Sequence, residues 1–267
     1  MAFSAVISLT SFGAAEVRRH GQLYFTQLSK MAGADGVEVR GELLVAAQTE
    51  LPQLAQSVRD LNLTVLFSCP DPLFLADGSL DDKTLGRAIE ATQKLCATRM
   101  KMSIGGYLGA SHGGSSVASL PQVATMLADG GVEMVVENDQ SVSAGSLPAL
   151  RQFFAEAAGQ GLELGMTFDV GNWHTAGECP LQAAQCFGSR VAYVHTKGVS
   201  KMPHKWAAVP LADSAAPWRA ILRALPCDVP WAIEHPLIGD DLVAVTRVEI
   251  EHLRAAAAHS AAFKAQA

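Results

Sequence analysis

No run of lysine and arginine stands anywhere in the 267 residues, and the 20 basic side chains face 26 acidic ones, for a formal net charge of −6. A surface that grips a nucleic-acid backbone carries a basic patch or stripe, so no nucleic-acid partner is expected. No apolar run approaches the ~20 residues that cross a bilayer. The opening Met1-Ala-Phe-Ser-Ala-Val-Ile-Ser-Leu9 also lacks the basic stretch of a secretory signal. The expectation is a cytoplasmic protein with no membrane partner. Cysteine is scarce and odd in number (Cys69, Cys96, Cys179, Cys186, Cys227), with no C-x-x-C pair. That predicts free buried thiols in a reducing compartment. Charged residues reach only 17% against 49% hydrophobic, which excludes a disordered chain and supplies a large core.

What is present is alternation. Short β-branched runs at residues 5–9, 36–40, 63–67, 100–104, 132–136, 162–168, 191–194 and 231–233 predict eight strands. Helical patterns follow them: 16–31 with an interruption at Gly21, then 44–61, 84–95, 117–127, 181–187 and 218–225. Another helix begins at Ser146, its cap, with Pro148 in the first turn and Leu147, Leu150, Phe153, Phe154 and Ala157 at i, i+3, i+4 spacing. Asp240 and Asp241 open a last helix, expected to run through Leu253, with acids at its positive end. Eight strands each followed by a helix imply a parallel sheet. No composition break marks a second domain, and the length is close to the roughly 250 residues of a (β/α)8 barrel. Residues 1–267 are therefore expected to form a single TIM barrel. The rival, a doubly wound open sheet, would carry a G-x-G-x-x-G turn, and Gly105-Gly106-Tyr-Leu-Gly109 does not match that spacing.

In a parallel barrel the site is built where strands end. Glu137 follows the fifth apolar run, Asp169 the sixth, His195 the seventh and Glu234 the eighth. Four successive strands thus deliver one potential metal ligand each to the same rim. Three carboxylates and an imidazole suit one divalent ion, with Mn²⁺, Mg²⁺ or Co²⁺ favoured and Zn²⁺ acceptable. The chemistry suited to such a site is proton abstraction next to a carbonyl through a metal-stabilised enediolate, with Glu137 and Glu234 as the acid–base pair. Return of the proton to the opposite face epimerises; return to the adjacent carbon isomerises.

These four residues, with Gly36-Val-Glu-Val-Arg40 and His195-Thr-Lys197, resemble the xylose-isomerase-like TIM barrel family of sugar phosphate isomerases and epimerases over essentially the whole chain. The resemblance implies that Glu137, Asp169, His195 and Glu234 bind the metal and that the two glutamates move the proton. More narrowly, Val-Glu-Asn-Asp-Gln140, Met-Thr-Phe-Asp-x-Gly-Asn-Trp173 and Ala-Ile-Glu-x-Pro-Leu-x-Gly-Asp-Asp241 are similar to epimerases of 2-ketogluconate utilisation. Three positions depart from the pattern of the free-hexulose 3-epimerases. Asn172 stands where many members have a histidine, Ser143 where a substrate-binding glutamate is found, and Lys201 where an arginine is found. A superfamily endonuclease would need extra histidines after the third, fourth and sixth strands, where Ser68-Cys69, Ser103-Ile-Gly105 and Asn172 stand.

Arg40, Lys101 and Lys197 lie at or near strand ends, and Lys201 and Lys205 follow in the seventh loop. With Asn172 they are the candidate substrate-binding residues, and their charge fits a keto sugar acid or its phosphate better than a neutral sugar. A small keto acid of the hydroxypyruvate type, an inosose-type dehydration and a non-catalytic sugar-binding barrel are the alternatives, and a homo-oligomer is left open. Trp173 and Trp206 either wall the pocket or pack against neighbours. His112, in a Gly/Ser-rich loop, is a lid candidate; His20, His252 and His259 read as helix-surface residues, and His235 as facing the other side of its strand from Glu234.

Overall fold

A computed structural model describes residues 3–110 and 113–265; His112 lies outside them. The chain opens with β1 (Ser4–Ser8), then α1 (Ala14–His20) and α2 (Gln22–Ala32), broken at the anticipated Gly21. There φ is 82°, a region open to glycine and strained for a side chain. Then follow β2 (Gly36–Arg40), α3 (Ala47–Asp60), β3 (Thr64–Ser68), α4 (Asp82–Lys94), β4 (Arg99–Ser103), α5 (Ser115–Gly130) and β5 (Glu133–Glu137). The single turn α6 (Val142–Gly145) precedes α7 (Leu147–Gly159), whose first turn is capped by the Ser146 hydroxyl accepting from the Ala149 N–H. Next come β6 (Gly165–Asp169), the short α8 (Asn172–Thr175), α9 (Pro180–Phe187) and β7 (Val191–Thr196). The chain ends with β8 (Gly198–Lys201), β9 (Trp206–Val209), α10 (Trp218–Ala224), β10 (Pro230–Ile233) and α11 (Leu242–Lys264).

Eight of these strands close into a parallel barrel in the order β1-β10-β7-β6-β5-β4-β3-β2, the expected fold. Because side chains alternate across a strand, the barrel has two apolar regions. The outward residues pack under the helices as one large core that includes Ile7, Val37, Phe67, Met100, Val136, Phe168 and Trp231. Inside, Val6, Leu66, Tyr193 and Ala232 form a separate small layer. Two residues further along the same four strands come Ser8, Ser68, His195 and Glu234, so the interior turns polar just above that layer.

Three features were not anticipated. The stretch read as a plain seventh loop contains the antiparallel β8–β9 hairpin, with Lys201 opposite Trp206. The last helix runs past Leu253 to Lys264, because the apolar stripe dissolves into alanines that still favour helix. The β6–β7 register shifts between Met166↔Val191 and Thr167↔Tyr193, leaving Ala192 as the extra residue of a bulge. Its carbonyl is taken up by Arg99 Nη1 at 2.9 Å, from across the barrel. All five cysteines are free; Cys96, Cys179 and Cys186 are exposed and Cys69 and Cys227 half-buried, where buried thiols were expected.

Candidate metal centre

β5, β6, β7 and the residue after β10 carry Glu137, Asp169, His195 and Glu234 to one point, with one ligand atom from each lying within 4.8 Å of all the others. Asp169 and His195 are fully buried; the Glu137 and Glu234 side chains keep 14% and 9% of their exposure, enough to meet a small molecule. His195 is oriented by a residue that the strand-end argument passed over. Glu38, wholly buried in the middle of β2, places Oε2 2.7 Å from His195 Nε2. An ionised carboxylate only accepts, so Nε2 carries the hydrogen and Nδ1 points to the centre. Nδ1 there has no hydrogen-bond partner. It faces Glu137 Oε1 at 2.9 Å, Glu234 Oε2 at 3.1 Å and Asp169 Oδ2 at 3.8 Å.

A bare nitrogen surrounded by three carboxylate oxygens is repulsive unless a cation lies among them. Without a metal that cation is a proton. Burial pushes the His195 imidazole down, but Glu234 and Glu38 overcome it and hold it well above the usual histidine range. A donor set of three hard oxygens and one aimed imidazole nitrogen fits a divalent ion equally well.

The backbone around Asp169 is tied down. Its Oδ1 accepts from the Gly171 and Asn172 N–H groups at 2.8 and 3.0 Å, which turns Oδ2 towards the centre. Asn138, fully buried beside Glu137, accepts the Asp169 N–H at 2.8 Å and donates to the Asp169 carbonyl at 3.0 Å. Asn172 donates to the Asn138 carbonyl at 2.9 Å, so its side chain braces this loop. Gly171 is required here: a Cβ would come within 2.8 Å of Lys197 Cγ.

The basic residues divide. Arg40 binds Glu38 at 2.7 Å, Glu42 at 2.9 Å and Glu234 at 3.0 Å. Lys101, buried beneath the mouth, gives its ammonium to Glu137 at 2.6 Å with Glu38 4.0 Å away. Lys197 lies 2.7 Å from Asp169 and 2.9 Å from Glu234. Arg40 and Lys197 retain 15% and 12% side-chain exposure, so these two reach the mouth. Lys201 and Lys205 stay exposed on the hairpin, where the Lys201 ammonium lies over the Trp206 ring at 4.7 Å. Trp173 is a packing residue, fully buried between Phe168 and Phe187. Burial, the largest influence, raises the Glu137 carboxyl, yet Lys101 and His195 together hold it at about 2. Glu234 is likewise held well below its ordinary value by His195 and Lys197 against burial. Asp169 is raised, its burial exceeding the pull of Lys197.

Comparison with known proteins agrees with this geometry. A solved L-ribulose 3-epimerase superposes with a TM-score of 0.73 at 18% identity, covering 100% of this chain and 97% of that one. A xylose isomerase domain protein from Alicyclobacillus acidocaldarius gives 0.71 at 20%, covering 97% and 99%. The IOLI protein with a binding zinc atom gives 0.66 at 13%, covering 96% and 97%. No curated protein sequence matches the chain. At these identities the structural likeness speaks for the fold; the sequence profile named "Xylose isomerase-like TIM barrel" matches residues 26–255, and the chain belongs to that family.

Proposed function

We propose that the protein is a divalent-metal-dependent isomerase or epimerase of a keto sugar acid, such as 2-ketogluconate or its phosphate. The observation that carries the metal is His195 Nδ1, aimed by Glu38 and ringed by three carboxylates. Glu137, Asp169, His195 and Glu234 would hold the ion. When bound, it supplies Lewis-acid polarisation of a substrate carbonyl and its neighbouring hydroxyl.

The chain's own residues do the rest. Glu137 and Glu234 come from strands separated by β7 and β6, so they flank the centre. Both are held ionised, which prepares one to take a proton from carbon while the other returns it. Lys101 fixes Glu137 from below. Arg40 and Lys197, the cations at the mouth, would receive the acid group of the substrate. Asn172 positions Asp169, and Lys201 would act only at the outer edge of the entrance. The test is solvent deuterium exchange into 2-ketogluconate by the Mn²⁺-loaded protein. Glu234→Gln should keep the fold and lose exchange by roughly 10³-fold or more. Near-normal exchange in that variant would sink the proton-transfer assignment.

A further inference from the structure

A second cavity lies outside the barrel wall, between β7, β10, α10 and α11. It encloses about 330 Å³ and shares no residue with the centre described above. That volume falls at the lower end of the roughly 300–1,000 Å³ of small-molecule sites. Its lining has three chemically distinct parts. The body is apolar, from Trp218, Leu222, Ile233 and Leu253. The inner part holds one polar side chain with an open valence. His235 is 2% exposed, and its Nε2 lies 3.1 Å from Glu249 Oε2. Its buried Nδ1 has no hydrogen-bond partner, an arrangement that ordinarily costs about 1–3 kcal/mol.

The outer rim is basic. Arg219 stacks its guanidinium 4.1 Å from the centre of the Trp218 ring, and His252 and His259 stand beside it on α11. Arg223 adds its charge behind His259, 2.5 Å from the ring nitrogen. The acid of this lining, Glu249, already serves His235 and, at 3.4 Å, His252.

We infer that this cavity binds a small hydroxylated carboxylic acid with an apolar, ring-sized body. The body fills the space against Trp218 and the aliphatic side chains. A hydroxyl both donates and accepts, so it satisfies His235 Nδ1 whichever form the imidazole takes. The carboxylate lies at the Arg219 rim in a charge-assisted contact.

The probe is 4-hydroxybenzoate, titrated calorimetrically into the full-length Mn²⁺-loaded protein. Saturable one-to-one binding is expected, weaker by roughly tenfold for benzoate, which lacks the hydroxyl. Ala256→Met extends a side chain into the cavity from a half-buried position on α11, and Arg219→Gln removes the rim charge from an exposed position; each should weaken binding roughly tenfold or more. Glu137→Gln alters the barrel mouth instead and should leave this binding unchanged, whereas loss in that variant would move the acid to the mouth and overturn the assignment. Equal affinity for benzoate, affinity untouched in both cavity variants, or no binding up to about 10 mM would also overturn it.

Discussion

Glu38 decides which nitrogen of His195 faces the centre, although it touches no point a ligand would reach. Glu38→Gln keeps the size of the side chain but can present an amide hydrogen to Nε2 and release the ring orientation. Mn²⁺ affinity measured by calorimetry should fall roughly 10–100-fold with all four ligands intact. Glu137 gives a pH test. Its folded carboxyl titrates at about 2 while the unfolded one titrates near 4.5. A depressed carboxyl contributes stability above its unfolded value and loses it as pH falls through the folded value. Thermal unfolding of metal-stripped protein should therefore worsen between about pH 4.5 and 2, and Glu137→Gln should lose less over that window. The four ligands were legible because each follows an apolar run and has no apolar role. Glu38 and Lys101 were harder to read, since each sits inside such a run and only barrel closure brings them beneath His195 and Glu137. A mid-strand Glu two residues before Arg40 was the available signal.

At the scale of elements, the bulge at Ala192 matters for the site because it brings Asp169 opposite His195 in the ladder. Arg99 holds that bulge from β4 and pairs with Glu133 at 2.9 Å. Arg99→Met should cost about 1–3 kcal/mol in denaturant unfolding, because a buried carbonyl loses its donor. Little change would show that the bulge holds itself. Strand positions were legible to within a few residues, since period-two apolar runs bounded by Gly, Pro and Asp are strong local signals. The β8–β9 hairpin was not. Its four-residue strands carry the small residues Gly198, Ser200, Ala207 and Ala208, and its pairing depends on the partner strand rather than on either segment alone.

For the whole molecule, the large core lies outside the barrel and only a four-residue apolar layer lies within it. The centre therefore rests on charged groups that must be balanced, and a bound cation should stabilise the whole fold. Saturating Mn²⁺ at about 100 times its dissociation constant is worth about 2.7 kcal/mol, which should raise the melting temperature by a few degrees. His195→Ala should erase that rise, and an equal rise in the variant would place the ion elsewhere. The barrel was legible from eight repeats of one strand–helix pattern, and among the described residues no helix is long and apolar enough to cross a membrane.

Alternation along a strand makes the barrel wall one residue thick. Glu234 faces the centre and His235, its neighbour, faces α11. Deleting a single residue upstream in β10 would exchange them, turning an imidazole into the mouth and a carboxylate against the helix. The ligand set would then be two histidines and two acids, a composition better matched to zinc. A change of metal preference in this lineage is thus within reach of one codon lost, without replacing any side chain.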